Sequence, residues 1–204
     1  MLALLLLADL PADRVAKWEK DVAAIEARLR KDKPAGGGVI FAGSSSVRLW
    51  KLDESFPGQG YVNVGFGGSE LRDCTHFAPR LIVPLKPRAV VLYAGDNDLN
   101  AGRTPRQVAD DFAAFCTAVP DARILFVAVK PSPKRWAIYA NQQEANRLVK
   151  AACERNPWLR FVDVVPPMLG PDGRPRPELF AADELHLSPA GYAAWAPRVR
   201  AALR

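Results

Sequence analysis

A chain of 204 residues, 49% hydrophobic and 25% charged, has an ordinary globular composition and is long enough to bury one core, which excludes a disordered or fibrous polypeptide. The formal charge of +6 comes from scattered Lys and Arg without a basic run interleaved with aromatics, so it reads as a solvated surface open to anionic partners and not as a nucleic-acid footprint. The three cysteines, Cys74, Cys116 and Cys153, lack metal-ligand spacing and are odd in number, so a fully paired framework is excluded and at least two are expected as buried free thiols.

Met1 to Ala8 is an apolar run about the length of a signal-peptide core, without a basic leader and too short to span a membrane. Two readings stand for residues 1–12. A clipped secretion signal implies a periplasmic or secreted protein; the start of an N-terminal helix leaves a cytoplasmic one. Residues 13–204 read as a single domain, with stable membrane insertion not expected. From Asp13 to Arg30, apolar Val15, Trp18, Val22, Ile25 and Leu29 recur at helical spacing, and Pro34 with Gly36 to Gly38 ends the helix. Val39 to Ala42 then reads as a buried strand running into Gly43-Ser44-Ser45-Ser46.

The alternation repeats. Tyr61 to Phe66 is strand-like and is followed by Gly67-Gly68-Ser69 and a helix from Leu71 to Leu81. Ala89 to Ala94 is a third strand ending at Gly95-Asp96-Asn97-Asp98, before a helix from Thr104 to Val119 with Thr104 as N-cap and Pro105 behind it. Ile124 to Val129 is a fourth strand, ending at Lys130-Pro131-Ser132-Pro133, and a helix covers Tyr139 to Arg155. Phe161 to Val165 supplies a fifth strand, Pro166 to Pro177 one long loop, and Pro189 to Leu203 the last helix. Continuous apolar strands separated by amphipathic helices specify an α/β fold with a parallel sheet covered on both faces and right-handed crossovers.

Ligands of such sheets bind beyond the carboxyl ends of the strands, where polar residues gather in four clusters. Ser44 to Ser46 offer a hydroxyl, Gly67-Gly68 and Asn97 offer hydrogen-bond donors, and Asp183 with His186 offers a base and its orienting carboxylate. With only two histidines in the chain, the Asp-x-x-His spacing of Asp183 and His186 nearly identifies the base by elimination. A serine hydroxyl needs that base to attack a carbonyl, and the resulting oxyanion needs fixed donors, so the set has the parts of an acyl-transfer site.

These blocks resemble the SGNH hydrolase superfamily, the GDSL-type esterases and lipases. Phe41 to Trp50 is similar to the first block, in a variant with Ser44 before the nucleophile, which the resemblance places at Ser45. Asn63 to Ser69 resembles the second block, with Gly68 as donor; Gly95-Asp96-Asn97-Asp98 resembles the third, with the Asn97 amide as donor. Asp183 to Ser188, followed by Gly191, Tyr192 and Trp195, resembles the last. The resemblance implies a three-layer, flavodoxin-like α/β/α sandwich on a five-stranded parallel sheet. It also implies cofactor-free and metal-free hydrolysis of carboxylic esters through an acyl-serine intermediate. Ser45, Asp183 and His186 form the catalytic set, with an oxyanion hole at Ser45 N–H, Gly68 and Asn97. The expected substrate is a small-molecule or glycan ester, most simply one with a short acyl group, since no lid insertion is evident. A carbohydrate O-acetylesterase, a thioesterase, a lysophospholipase, a non-catalytic ligand- or glycan-binding module and a flavodoxin-like nucleotide binder are the alternatives. Oligomeric state is not specified.

Plainer roles are expected for other residues. Ser44 and Ser46 sit where a helix N-cap belongs; Gly65 and Gly67 are expected only to turn the chain, and Gly68 to turn it and donate. Asp96 and Asp98 are expected to cap turns or bond nearby backbone. His76 reads as an ordinary helix residue, and Asp163 as the rival to Asp183. Lys130, Ser132 and Trp136 line the pocket or serve packing. Neither GxGxxG nor GxxxxGK[ST] occurs, and the GxSxG elbow is missing too.

Overall fold

The computed structural model describes residues 10–204, so the readings of Met1 to Ala8 lie outside the described residues. In chain order the elements are α1 (Ala12–Asp32), β1 (Val39–Gly43), α2 (Ser45–Arg48), α3 (Leu52–Ser55), β2 (Val62–Asn63), α4 (Leu71–Leu81), β3 (Ala89–Tyr93), α5 (Asp96–Asn100), α6 (Pro105–Ala118), β4 (Arg123–Val127), α7 (Tyr139–Glu154), β5 (Leu159–Val162) and α8 (Pro189–Ala202). Short 3-10 turns lie at Val83–Leu85, Pro133–Ile138, Pro166–Met168 and Pro177–Leu179.

All strand pairs are parallel, and the order β2-β1-β3-β4-β5 is that of a flavodoxin-like sheet. Both faces are covered, which explains the unbroken apolar strands. Ile40, Ala42, Val90, Leu92, Ile124 and Phe126 pack with residues of α1, α4, α6 and α7, while Val39, Phe41, Val91, Tyr93, Leu125 and Val127 pack with Trp195 and Val199 of α8 on the other side. Alternation therefore splits each strand between two cores. The order of strand addition reverses between β1 and β3, with β2 on one side and β4 and β5 on the other, and the crevice that this opens at their carboxyl ends is where the serine and asparagine blocks fall.

Local chemistry sets the boundaries. Thr104 Oγ1 accepts from Gln107 N at 3.2 Å while Thr104 N donates to Gln107 Oε1 at 2.9 Å, a reciprocal cap that starts α6. The α1 helix ends where Lys33 turns left-handed, its N–H returning to Leu29 O at 3.0 Å. Three expectations change. The fifth strand, expected over Phe161 to Val165, lies earlier at Leu159–Val162, because the chain turns at Asp163, whose Oδ1 accepts from Val165 N. The strand expected over Tyr61 to Phe66 is regular only at Val62–Asn63; beyond it, Val64 N and Phe66 N still donate to Phe41 O and Gly43 O. The reason is Gly65, where a Cβ would meet Arg48 N at 2.7 Å and the Val47 side chain at 2.8 Å, so the chain is pressed onto α2. Gly65 thus serves close approach and not turning, whereas Gly67 lies with Gly68 in the expected turn. The stretch Pro166 to Pro177 is also more than an open loop: 3-10 turns bracket it, and Gly170 N bonds Arg174 O at 2.8 Å.

The cysteine expectation holds for Cys74 and Cys153, which are buried free thiols; Cys116 is half-buried. Burial raises the pKa of Cys74, and pushes those of Cys116 and Cys153 up to about 12.

Candidate active site

At the end of β1, Gly43 adopts φ 133°, and a Cβ there would lie 2.0 Å from Tyr93 O. Only glycine fits so close to β3, and the chain then turns directly into α2. Ser44 takes the N-cap position with its N–H on Tyr93 O at 3.0 Å, yet its buried side chain makes no capping bond. Ser46 is buried too, and its carbonyl accepts from Tyr192 Oη at 2.9 Å, tying α2 to α8. The middle serine, Ser45, is left facing the cleft.

The other half of the site is a turn. One carboxylate oxygen of Asp183, Oδ1, accepts from Leu185 N at 3.0 Å and His186 N at 2.9 Å, while Oδ2 meets His186 Nδ1 at 2.5 Å. Glu184 at φ 59° closes the turn, which is pinned by Ala181 N donating to His186 O at 2.8 Å. The His186 side chain, with the backbone N–H groups of His186 and Leu185, holds the Asp183 carboxyl well below the usual carboxylate range. An ionised carboxylate can only accept, so it fixes the proton on Nδ1 and turns the Nε2 lone pair outward. That nitrogen lies 3.0 Å from Ser45 Oγ.

The rivals fall elsewhere. Asp163 is exposed and caps Val165 N at 3.0 Å, and His76 is exposed on α4 with its ring edge-on to Phe77.

Ser45, Gly68, Asn97 and His186 line one open cleft of about 460 Å³, with Asp183 behind His186. Gly68, at φ 73°, sits over Trp18 of α1. Asn97 Nδ2 donates to Ser69 O at 3.0 Å. Asp98 behaves as expected, its two oxygens accepting from Gly95 N and Leu71 N at 3.0 Å each, and burial pushes its carboxyl up to about 7.

Asp96 departs from its expected capping role. Its buried carboxylate pairs with Lys130 Nζ at 3.2 Å and Arg135 Nη1 at 2.9 Å, and Gln142 Nε2 donates to it at 3.0 Å. Burial opposes this charge, but the two cations outweigh burial and hold the Asp96 carboxyl below its ordinary value. Lys130 therefore takes the packing role, its ammonium also reaching Tyr93 Oη at 3.2 Å. Ser132 is fully buried. Trp136 stacks on Tyr139 at 4.4 Å and borders a separate hollow of about 230 Å³ with Pro133, Arg174 and Phe180.

Arg135, Arg48 and Asp21 line the Ser45 cleft without having stood out in the sequence. Arg135 follows the carboxyl end of β4, a position that marks it for inspection; Asp21 comes from the middle of an amphipathic helix and carries no such signal.

Beyond the carboxyl ends of its parallel strands the fold thus brings together a serine, a histidine and a carboxylate, without the GxSxG elbow of the α/β-hydrolases. Residues 35–194 match the model of the GDSL-like Lipase/Acylhydrolase family, and the chain belongs to that family of carboxylic ester hydrolases. It is 31% identical over 171 residues to platelet-activating factor acetylhydrolase IB subunit alpha1 of Pongo abelii, covering 76% of this chain and 70% of that protein. The fold matches a solved protein from Streptococcus pneumonia with TM-score 0.77 at 20% identity, covering 94% of this chain and 95% of that one. A GDSL-like lipase from Bacteroides thetaiotaomicron matches with TM-score 0.72 at 20% identity, over 92% of this chain and 96% of that one.

Proposed function

We propose that this hydrolase cleaves carboxylic esters with short acyl groups through an acyl-serine intermediate on Ser45. The observation that carries the reading is the continuous line from Asp183 Oδ2 through His186 to Ser45 Oγ, with contacts of 2.5 and 3.0 Å. His186 Nε2 takes the Ser45 proton as Oγ attacks the ester carbonyl. Ser45 N–H, Gly68 N–H and the Asn97 amide stabilise the oxyanion. Collapse expels the alkoxide, which receives the proton from His186. Water, deprotonated by the same nitrogen, then attacks the acyl carbon, and the acid leaves as Ser45 regains its proton. Asp183 remains ionised throughout and stabilises the imidazolium.

Two observations support a short acyl group. Among the described residues that line the cleft, Leu185 is the one aliphatic side chain, beside Asp21, Arg48, Asn97 and Arg135, so a long acyl chain would find no extended aliphatic wall. The Pongo abelii relative is named an acetylhydrolase.

Labelling with a fluorophosphonate followed by peptide mass mapping tests the nucleophile. A single adduct on Ser45, lost in His186→Ala, is the expected result. An adduct on Ser44 or Ser46, or none on any serine, would overturn the reading.

A further inference from the structure

We infer that Arg135 is a positioning residue for the Asn97 amide: its guanidinium fixes and polarises that amide so that Nδ2 donates into the cleft. The inference rests on the proposed oxyanion role of Asn97 and adds a residue that the resemblance did not assign.

An asparagine side chain has nearly isosteric ends, one a double donor and the other an acceptor, so its function depends on what selects its orientation. Arg135 Nη2 donates to Asn97 Oδ1 at 3.0 Å, and Asn97 Nδ2 donates to Ser69 O at 3.0 Å. A flipped amide would set oxygen against the Ser69 carbonyl and an NH2 group against the guanidinium. Both contacts select one orientation. Nδ2 carries two hydrogens, and Ser69 O takes one; the other remains for an oxyanion.

A charged donor on Oδ1 does more than a neutral one, because it withdraws density from the amide and strengthens the opposite N–H as a donor. Arg135 is itself held: Nη1 pairs with Asp96 at 2.9 Å, and its side chain is 12% exposed. Asp96 in turn is shared with Lys130, so this cluster contains two cations and one anion. The surplus positive charge lies beside the position where negative charge develops, in a partly desolvated setting where it is screened less than at the surface. The single acidic side chain lining the same cleft among the described residues is Asp21.

The test combines kinetics with a readout that needs no turnover. Arg135→Met leaves the Asp96 and Lys130 pair intact, and it is expected to lower kcat on the order of 10-fold to 100-fold, the worth of one charge-assisted hydrogen bond, with KM within about 3-fold. Arg135→Lys, which keeps the charge without the fork, is expected to lose less. In an Asn97→Ala background the same Arg135→Met change is expected to have little further effect, because it acts through Asn97. Independently, the two side-chain amide proton resonances of Asn97 are expected to be resolved in the wild type and to shift and exchange faster in Arg135→Met. A rise in KM at constant kcat, or a full effect in the Asn97→Ala background, would show direct contact with substrate and overturn the inference. Unchanged amide resonances would overturn it even if the wild type had no ester activity, an outcome that would sink the esterase reading on its own.

Discussion

His186 Nε2 lies 3.0 Å from Ser45 Oγ although 141 positions separate the two residues in the chain. The fold creates that contact from two rigid ends. Gly43 lets β1 run hard against β3 before the chain enters α2, and the hydrogen-bonded turn from Ala181 to His186 delivers the imidazole from the loop preceding α8. Tyr192, bonded to Ser46 O, clamps these two ends together.

The carboxylate of Asp183 selects the imidazole tautomer, so Asp183→Asn keeps one acceptor for the turn yet presents an NH2 group to Nδ1. By analogy with serine hydrolases generally, kcat should fall on the order of 10,000-fold while the thermal transition moves little. Steady-state kinetics beside a melting curve checks this. A drop of less than 10-fold would mean that the carboxylate does not orient the base.

Asn97→Ala removes one of the donors proposed for the developing oxyanion. The expected loss is on the order of 100-fold to 1,000-fold in kcat with KM little altered, since the bond strengthens only as charge develops. An effect confined to KM would assign Asn97 to ground-state binding.

Asp98 gives a pH-dependent stability whose sign follows from its burial. Its folded pKa, pushed up to about 7, exceeds the roughly 3.9 of an unfolded aspartate, so the folded chain holds a proton that the unfolded chain releases. The contribution is full below the unfolded value and is lost as pH rises through the folded one. The melting temperature of the wild type relative to Asp98→Asn should therefore decline between about pH 4 and pH 7 and level off above. A constant difference across that window would contradict the assignment.

Lys130→Met breaks a buried ion pair whose side chains are 2% and 4% exposed. Asp96 keeps Arg135 and Gln142, so the cost should fall near the low end for such pairs, about 3 kcal/mol by urea denaturation. A loss below about 0.5 kcal/mol would indicate that the pair contributes as little as a surface one.

Much of this was legible in sequence because its causes are local. The apolar strands, the Thr104 cap and the Asp183 turn each depend on residues within a few positions of one another. The short α2, α3 and α5 helices were not legible, since they are one-turn segments held by tertiary contacts and too short for a period to show. Nor was the length of β2, which depends on Gly65 meeting Val47 and Arg48. Asp96 illustrates the same limit: its partners Lys130, Arg135 and Gln142 come from beyond β4 and from α7, and no spacing within Gly95 to Asp98 announces them. Identity of the four blocks was readable; the ionic cluster behind the third one was not.

The most direct measurement is hydrolysis of p-nitrophenyl esters of increasing acyl length by the wild type beside Ser45→Ala. The account predicts turnover that is fastest for acetate and falls with chain length, and a loss of at least about 1,000-fold in the variant. Comparable rates for the wild type and Ser45→Ala, or turnover that rises with long acyl chains, would contradict it.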